Sequence, residues 1–278
     1  MTTSIHDLEA DRTLKAKHRA IWASGSYQTI VDDFVAPLGP ILVQAAGVRP
    51  SDHVLDVAAG TGSASIPAAE LGARVVASDL TPELLEIGRR DAESRGISLD
   101  WRTADAEALP FGDAEFDKVL SCIGVMFAPH HQAAADELIR VCRPGGTVAV
   151  LSWTPEGFIG QLFAAMKPYA PPPPPGAQPP PLWGSEEHVR TLFGDRVTDV
   201  QVRRQTLEVT RCDVPEDFRE NFKAHYGPTI ATYRNIAGDP ERVAALDSAL
   251  AEVARRFDRG DGKTVLDWEY LVVTARKR

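Results

Sequence analysis

The sequence predicts an α/β protein built on a doubly wound, mostly parallel seven-stranded sheet with an antiparallel edge and a helical insertion or lid. Three observations carry this expectation. Val54 and Leu55 read as a buried strand that runs through Asp56 and Val57 into a small-residue turn, Ala58-Ala59-Gly60-Thr61-Gly62. An alanine-rich helix from about Ser63 to Leu71 follows, closed by Gly72. Strand, glycine turn and helix form the opening unit of a nucleotide-binding sheet, in which glycines let the backbone pass close under a ligand. The second observation is the β-α alternation that continues to about residue 152. The third is a change after the proline tract, where long strands no longer alternate with helices on a parallel path and pair antiparallel instead.

Taken in order, residues 6 to 24 read as an amphipathic helix with Leu8, Leu14, Ile21 and Trp22 as apolar points, stopped by Gly25. A helix from about 28 to 47 follows, divided by Pro37 and Pro40. After the first strand and helix, residues 73 to 79 form a second buried strand ending in Asp79. Thr81 suits an N-cap and Pro82 a first helical residue. Leu99 to Thr103 gives a third strand, ending at Ala104-Asp105-Ala106, and Phe116 to Cys122 a fourth. A helix runs from His131 to Cys142, and Thr147 to Ser152 is the fifth strand. The tract from Ala170 to Pro181 is stiff and extended. A helix from Glu186 to Phe193, a strand from Val197 to Val209, helices over 215–236 and 239–258, and a strand over 264–275 complete the chain. The organisation is an N-terminal helical cap (1–50), a nucleotide-binding core (51–160), a proline-rich segment with a short helix (161–196), and edge strands with a helical acceptor-side insertion (197–278).

With 278 residues the chain can bury a full core. A net charge of −9 argues against a partner that presents a phosphate backbone, so no nucleic-acid partner is expected. Three dispersed cysteines, Cys122, Cys142 and Cys212, have no metal spacing and suit a reducing cytoplasm. No signal peptide and no membrane span are expected, and no metal. The expected location is cytoplasmic; a homodimer is left open.

The turn after the first strand lacks the third small residue of a dinucleotide fingerprint, since Gly60-Thr61-Gly62 is followed by Ser63, Ala64 and Ser65. Asp56 at the strand mouth would repel a pyrophosphate and suit a cation. Asp79 and Asp105 end two further strands, and in an open sheet such ends line one crevice.

The stretches VLDVAAGTG, VVASDLTPELL, DAEALPF, FDKVLSCIGVMF and ELIRVCRPGGTVAVLSWTPEGF, in this order and spacing, resemble the class I S-adenosylmethionine-dependent methyltransferases. Trp22, Gly25 and Tyr27, WTPEGFIGQ and the tract ending in PPPLWG look like a bacterial small-molecule subgroup. The resemblance implies a Rossmann-like fold and S-adenosyl-L-methionine as cofactor. It implies Asp79 and its neighbour Leu80 at the ribose, Asp105 and Ala106 at the adenine, and Asp56, Ala58, Gly60 and Gly62 at the loop under the methionine. Backbone carbonyls of Ser121 and Cys122 would meet the ammonium, and Tyr27 would close over the methionine carboxylate, with Arg19 a weaker candidate. Glycine is usual where this chain has Ala58, and alanine should still allow close approach.

The acceptor implied is a small molecule, a specialised metabolite methylated on oxygen, or else on nitrogen or carbon. A hydroxyl acceptor would call for a general base, and His225, His130 and His131 are the candidates. Against each stands a structural role: helix capping or exposure for His130 and His131, core packing for the Phe218, Phe222, His225 stripe. The proline tract reads as a surface spacer, or as a rim beside the acceptor with Trp183 packed inward. Two rivals remain: an NAD-dependent dehydrogenase, and a non-catalytic S-adenosylmethionine-binding protein.

Overall fold

The computed structural model describes residues 5–260 and 262–278. Helices α1 (Ile5–Trp22) and α2 (Tyr27–Ile30), a π-helical turn (Val31–Val35) and α3 (Leu38–Ala45) precede the sheet. The side chain of Leu8 lies outside the described residues. Pro37 separates the π turn from α3 as expected, but Pro40 sits within the first turn of α3 and divides nothing. A proline there removes an N–H that has no intrahelical partner anyway.

The core then alternates β1 (His53–Val57), α4 (Ser65–Glu70), β2 (Arg74–Asp79), α5 (Pro82–Ser94), β3 (Asp100–Thr103), β4 (Phe116–Cys122), α6 (His131–Val141) and β5 (Cys142–Trp153). After it come α7 (Phe158–Met166), α8 (Glu186–Phe193), β6 (Val197–Val209), α9 (Pro215–His225), α10 (Gly227–Ile236), α11 (Pro240–Phe257) and β7 (Leu266–Lys277). Strand order is β3-β2-β1-β4-β5-β7-β6. The first five strands pair in parallel, and β7 runs antiparallel to both β5 and β6. The last strand of the chain therefore slides inside β6, which becomes the edge. Its sequence explains this: β7 buries Leu266, Trp268, Tyr270, Leu271, Val272, Val273 and Ala275, whereas most of β6 is solvated.

Trp268 is the hub of the later half. Phe34 and Phe158 stack on it with ring centroids 5.3 and 5.7 Å away, and Phe218 and Phe222 meet it edge-on. Phe218 and Phe222 are 0% and 2% exposed, so the aromatic stripe of α9 is core. In the middle of the sheet, β1 is covered on both faces, with Val54, Leu55, Asp56 and Val57 all buried. Strand order reverses between β1 and β4, and this is where an open sheet leaves a crevice at its carboxyl edge.

Candidate functional site

The floor of that crevice is made by the ends of β1 and β4. Beyond Val57, Ala58 and Gly60 turn into the left-handed region, with φ of +54° and +57°. Glycine occupies that region freely; alanine does so at a cost of about 1 kcal/mol. Ala58 therefore takes up the turn under strain. Beyond Cys122, Ile123 is also left-handed (φ +67°), unusual for a β-branched residue. It is held there because its N–H donates to the Leu151 carbonyl at 2.7 Å. Next to it, Gly124 passes so close to the first loop that a Cβ would stand 2.0 Å from the Ala58 carbonyl oxygen. Ser121 ties the two strand ends together: its hydroxyl donates to the Val57 carbonyl (2.7 Å) and accepts from the Val125 N–H (2.9 Å).

Above this floor lies a cleft, open to solvent at its mouth. Of the residues expected at a cofactor site, Tyr27, Ala58, Gly60, Asp79, Leu80, Asp105, Ala106 and Cys122 line it together. Asp79 accepts from the Gly60 N–H and the Thr81 N–H, each at 2.8 Å, and keeps free lone pairs for a ligand. Burial pushes its carboxyl above the usual range, against the pull of those backbone donors. Thr81 thus serves through its backbone rather than as a side-chain cap. The Tyr27 ring lies over Gly60, where an added Cβ would come within 3.6 Å of it.

Three expected residues do not line the cleft. Ser121 is the buried staple just described. Gly62 lies behind the loop, where a Cβ would run into the Trp101 ring at 2.8 Å. Asp56 is fully buried beneath the turn, and its Oδ2 accepts from the Ser65 hydroxyl at 2.6 Å. Its Oδ1 has no partner among the described residues. Burial pushes its carboxyl up to about 7, so it is not a fixed anion at the mouth of the strand. The strand-end carboxylates that do line the cleft are Asp79 and Asp105.

None of the three candidate bases reaches the cleft. His130 binds Glu107 instead, through its backbone N–H (2.7 Å) and its Nδ1 (3.1 Å). His131 is buried with its Nδ1 2.9 Å from His188 Nε2, and burial followed by that neighbour pushes it down to about 4. His225 ends α9 and offers its backbone carbonyl to the Ser26 N–H. The proline tract runs beside this rim: the Gln178 N–H donates to the Pro129 carbonyl, and Trp183 is fully buried near His131.

The roof is α1. Lys15, His18 and Trp22, three and four residues apart, share one helix face and line the cleft. Lys15 bridges Asp105 (3.1 Å) and Glu107, so Asp105 already carries a cation. Burial would raise the Glu107 carboxyl, but the bonds from Lys15 and His130 outweigh it and hold the group below its usual range. Burial, then Lys15, lowers the His18 imidazole below its ordinary range. Arg19 turns outward to Glu83 at 2.7 Å, both about half exposed. Trp22 meets Tyr27, Phe127 and Tyr226 edge-on at 5.5, 4.7 and 5.8 Å. Lys15, His18 and Glu107 escaped the sequence reading. The spacing from Trp22 back to Lys15 was the available sign that they share its face.

A methyltransferase-domain family model matches residues 54–146, the segment that builds the cleft floor. An uncharacterised protein of Mycobacterium tuberculosis is 54% identical over 94% of both chains. The demethylmenaquinone methyltransferase of Renibacterium salmoninarum is 39% identical over 42% of this chain and 48% of its own. Among solved structures, the YcgJ protein of Bacillus subtilis superposes with a TM-score of 0.60 at 17% identity, covering 86% of this chain and 97% of its own.

Proposed function

We propose a small-molecule acceptor for this chain, which belongs to the class I S-adenosylmethionine-dependent methyltransferases. It is an enzyme that uses S-adenosylmethionine, which sets aside the dehydrogenase and the non-catalytic binder. When bound, that cofactor would supply an activated methyl group carried on a sulfonium.

The residues present fit the cofactor. Gly60 turns left-handed at the cleft floor beneath the Tyr27 ring, and the Asp79 carboxylate, held by two backbone N–H groups, keeps lone pairs for hydroxyl donors in the cleft. Asp79 would accept the ribose hydroxyls, with Leu80 beside them. Asp105 and Ala106 would hold the adenine, which requires Lys15 to share Asp105 or move fully onto Glu107. The Cys122 carbonyl end of β4 and the Ala58–Gly60 turn would hold the methionine, with Tyr27 above. The chain's own task is then orientation and water exclusion, which can lower a barrier by about 7–11 kcal/mol in well-positioned systems.

The observation that carries the small-molecule reading is the roof. Lys15, His18 and Trp22 lie over the cleft, and Tyr27 and Phe127 wall it, an enclosure that suits a small acceptor better than a folded polymer. A specialised metabolite methylated on oxygen, or else on nitrogen or carbon, is the reading we carry forward. Incubation with labelled S-adenosylmethionine and separate pools of small molecules, protein and RNA tests it. Label is expected in a small-molecule product; label incorporated into protein or RNA contradicts it.

A further inference from the structure

We propose that Glu107 is a positioning residue for the adenine end of the cofactor: by taking a share of the Lys15 ammonium it leaves Asp105 able to accept from the adenine amine. The proposal rests on the methyltransferase reading and on the place that reading gives Asp105.

Asp105 and Glu107 are the first and third residues of the stretch DAEALPF. They sit in a tight turn in which the Ala108 N–H donates to the Asp105 carbonyl at 3.0 Å. Asp105 and Ala106 line the cleft, and Glu107 lies behind them, its side chain 8% exposed. From there Glu107 touches three segments of the chain. Its backbone N–H donates to Asp105 Oδ1 at 2.9 Å. Its carboxylate accepts from the His130 N–H on the rim at 2.7 Å, and it takes the Lys15 ammonium from α1. Lys15 also reaches both oxygens of Asp105, at 3.2 and 3.1 Å. One ammonium thus serves two carboxylates.

That sharing decides how much charge Asp105 keeps. Burial would lower the Lys15 ammonium, but its bonds to Glu107 and Asp105 outweigh burial and raise it. Glu107 is held below its usual range by Lys15 and His130 in spite of burial, so both groups are ionised. Two carboxylates against one ammonium leave one negative charge over. Asp105 is the more exposed of the two, at 24% against 8%, and it is the one that faces the cleft. The surplus is therefore offered where an amine donor gains most from a charged acceptor. With Glu107 neutral, Lys15 would answer to Asp105 alone. The adenine amine would then have to compete with an ammonium for a compensated carboxylate. A carboxylate that merely pinned α1 and the rim would matter to the same degree whatever residue 15 carried.

Calorimetric titration of the full chain with S-adenosylhomocysteine, around a double-mutant cycle, tests this. Glu107→Gln should weaken binding about tenfold, and Glu107→Asp, which keeps the charge, by less than about threefold. In a Lys15→Met protein the same Glu107→Gln change should alter affinity by less than about twofold, because the ammonium it restrains is gone. Equal losses in the two backgrounds overturn the proposal, as does a Glu107→Gln protein that binds like the parent. If Glu107→Gln does not fold alone, the Lys15→Met pair decides by itself, a loss beyond that twofold overturning the proposal and a smaller one sustaining it. Failure of S-adenosylhomocysteine to bind the parent would instead sink the methyltransferase reading, and parent-like binding by Asp105→Ala would sink the place given to Asp105. Neither result resembles an unequal cycle, so the failures stay apart.

Discussion

Floor and roof of the cleft are built by different physics. The floor is backbone: two left-handed turns, at Ala58–Gly60 and at Ile123, pressed together where Gly124 passes the Ala58 carbonyl. The roof is side chain: α1 lies across the opening and is held by Lys15 on Asp105 and Glu107, by Arg19 on Glu83, and by the Trp22 aromatic cluster. A backbone floor cannot adjust without moving strands, whereas a roof held by ion pairs and one indole can lift. The difference predicts that changes to the floor disturb the fold, and changes to the roof disturb closure.

The largest effect should come from the floor. Gly124→Val places a side chain where a Cβ already stands 2.0 Å from a carbonyl oxygen, and should cost about 3 kcal/mol of stability in urea titration. A loss under 1 kcal/mol would mean that the floor yields as easily as the roof. On the roof, Lys15→Met strands the Glu107 carboxylate, only 8% exposed, with His130 as its remaining partner. About 2 kcal/mol of stability should be lost, discounted for partial exposure. Trp22 fluorescence should shift toward that of a solvated indole; an unchanged spectrum would show that α1 is seated by its aromatic contacts alone.

A smaller signal separates the layers by pH. Asp56 binds its proton more tightly folded, near 7, than at its ordinary 3.8, so its contribution to stability falls as pH rises from about 4 to 7. His131, pushed from 6.5 to about 4, has the opposite sign: the folded state binds fewer protons, and stability rises with pH between about 4 and 6.5. The two oppose each other over most of that range. Asp56→Asn should therefore unmask a rising slope on the order of 1–2 kcal/mol between pH 4 and 6.5, readable from melts across pH. A slope identical to the parent's would show that Asp56 titrates normally. Smallest of all, Arg19→Ala should change stability by less than about 0.5 kcal/mol, because the pair with Glu83 is half exposed on both sides.

What could be read from sequence follows the same division. Asp79 ends a strand and faces a turn two residues on; Ala58–Gly60 is a turn in itself; Cys122 ends the next strand. All of these are local signals, and the structure brings them into one cleft. Asp56 shares their sequence signature, yet it is buried under the turn that its own neighbours make. Strand position gave its place along the sheet but not its depth. Lys15 meets Glu107 across 92 residues, and nothing near either announces the other. Chemistry alone nominates the histidines as bases, and each is engaged elsewhere: His130 by Glu107, His131 by His188, His225 at a helix end. The parallel core and the antiparallel pairing of the last strands were legible because strands alternate with helices up to β5 and that alternation ends there. Which of the last two strands lies outside was not, since that depends on comparing their apolar content across a register formed only in the fold.

Calorimetric titration of Asp79→Ala with S-adenosylhomocysteine probes the floor where it meets the cofactor. Charged hydrogen bonds of the kind assigned to Asp79 are worth about 1.5–3 kcal/mol, so affinity should fall roughly 10- to 150-fold while the protein stays folded. A folded Asp79→Ala protein that binds as tightly as the parent would contradict the account.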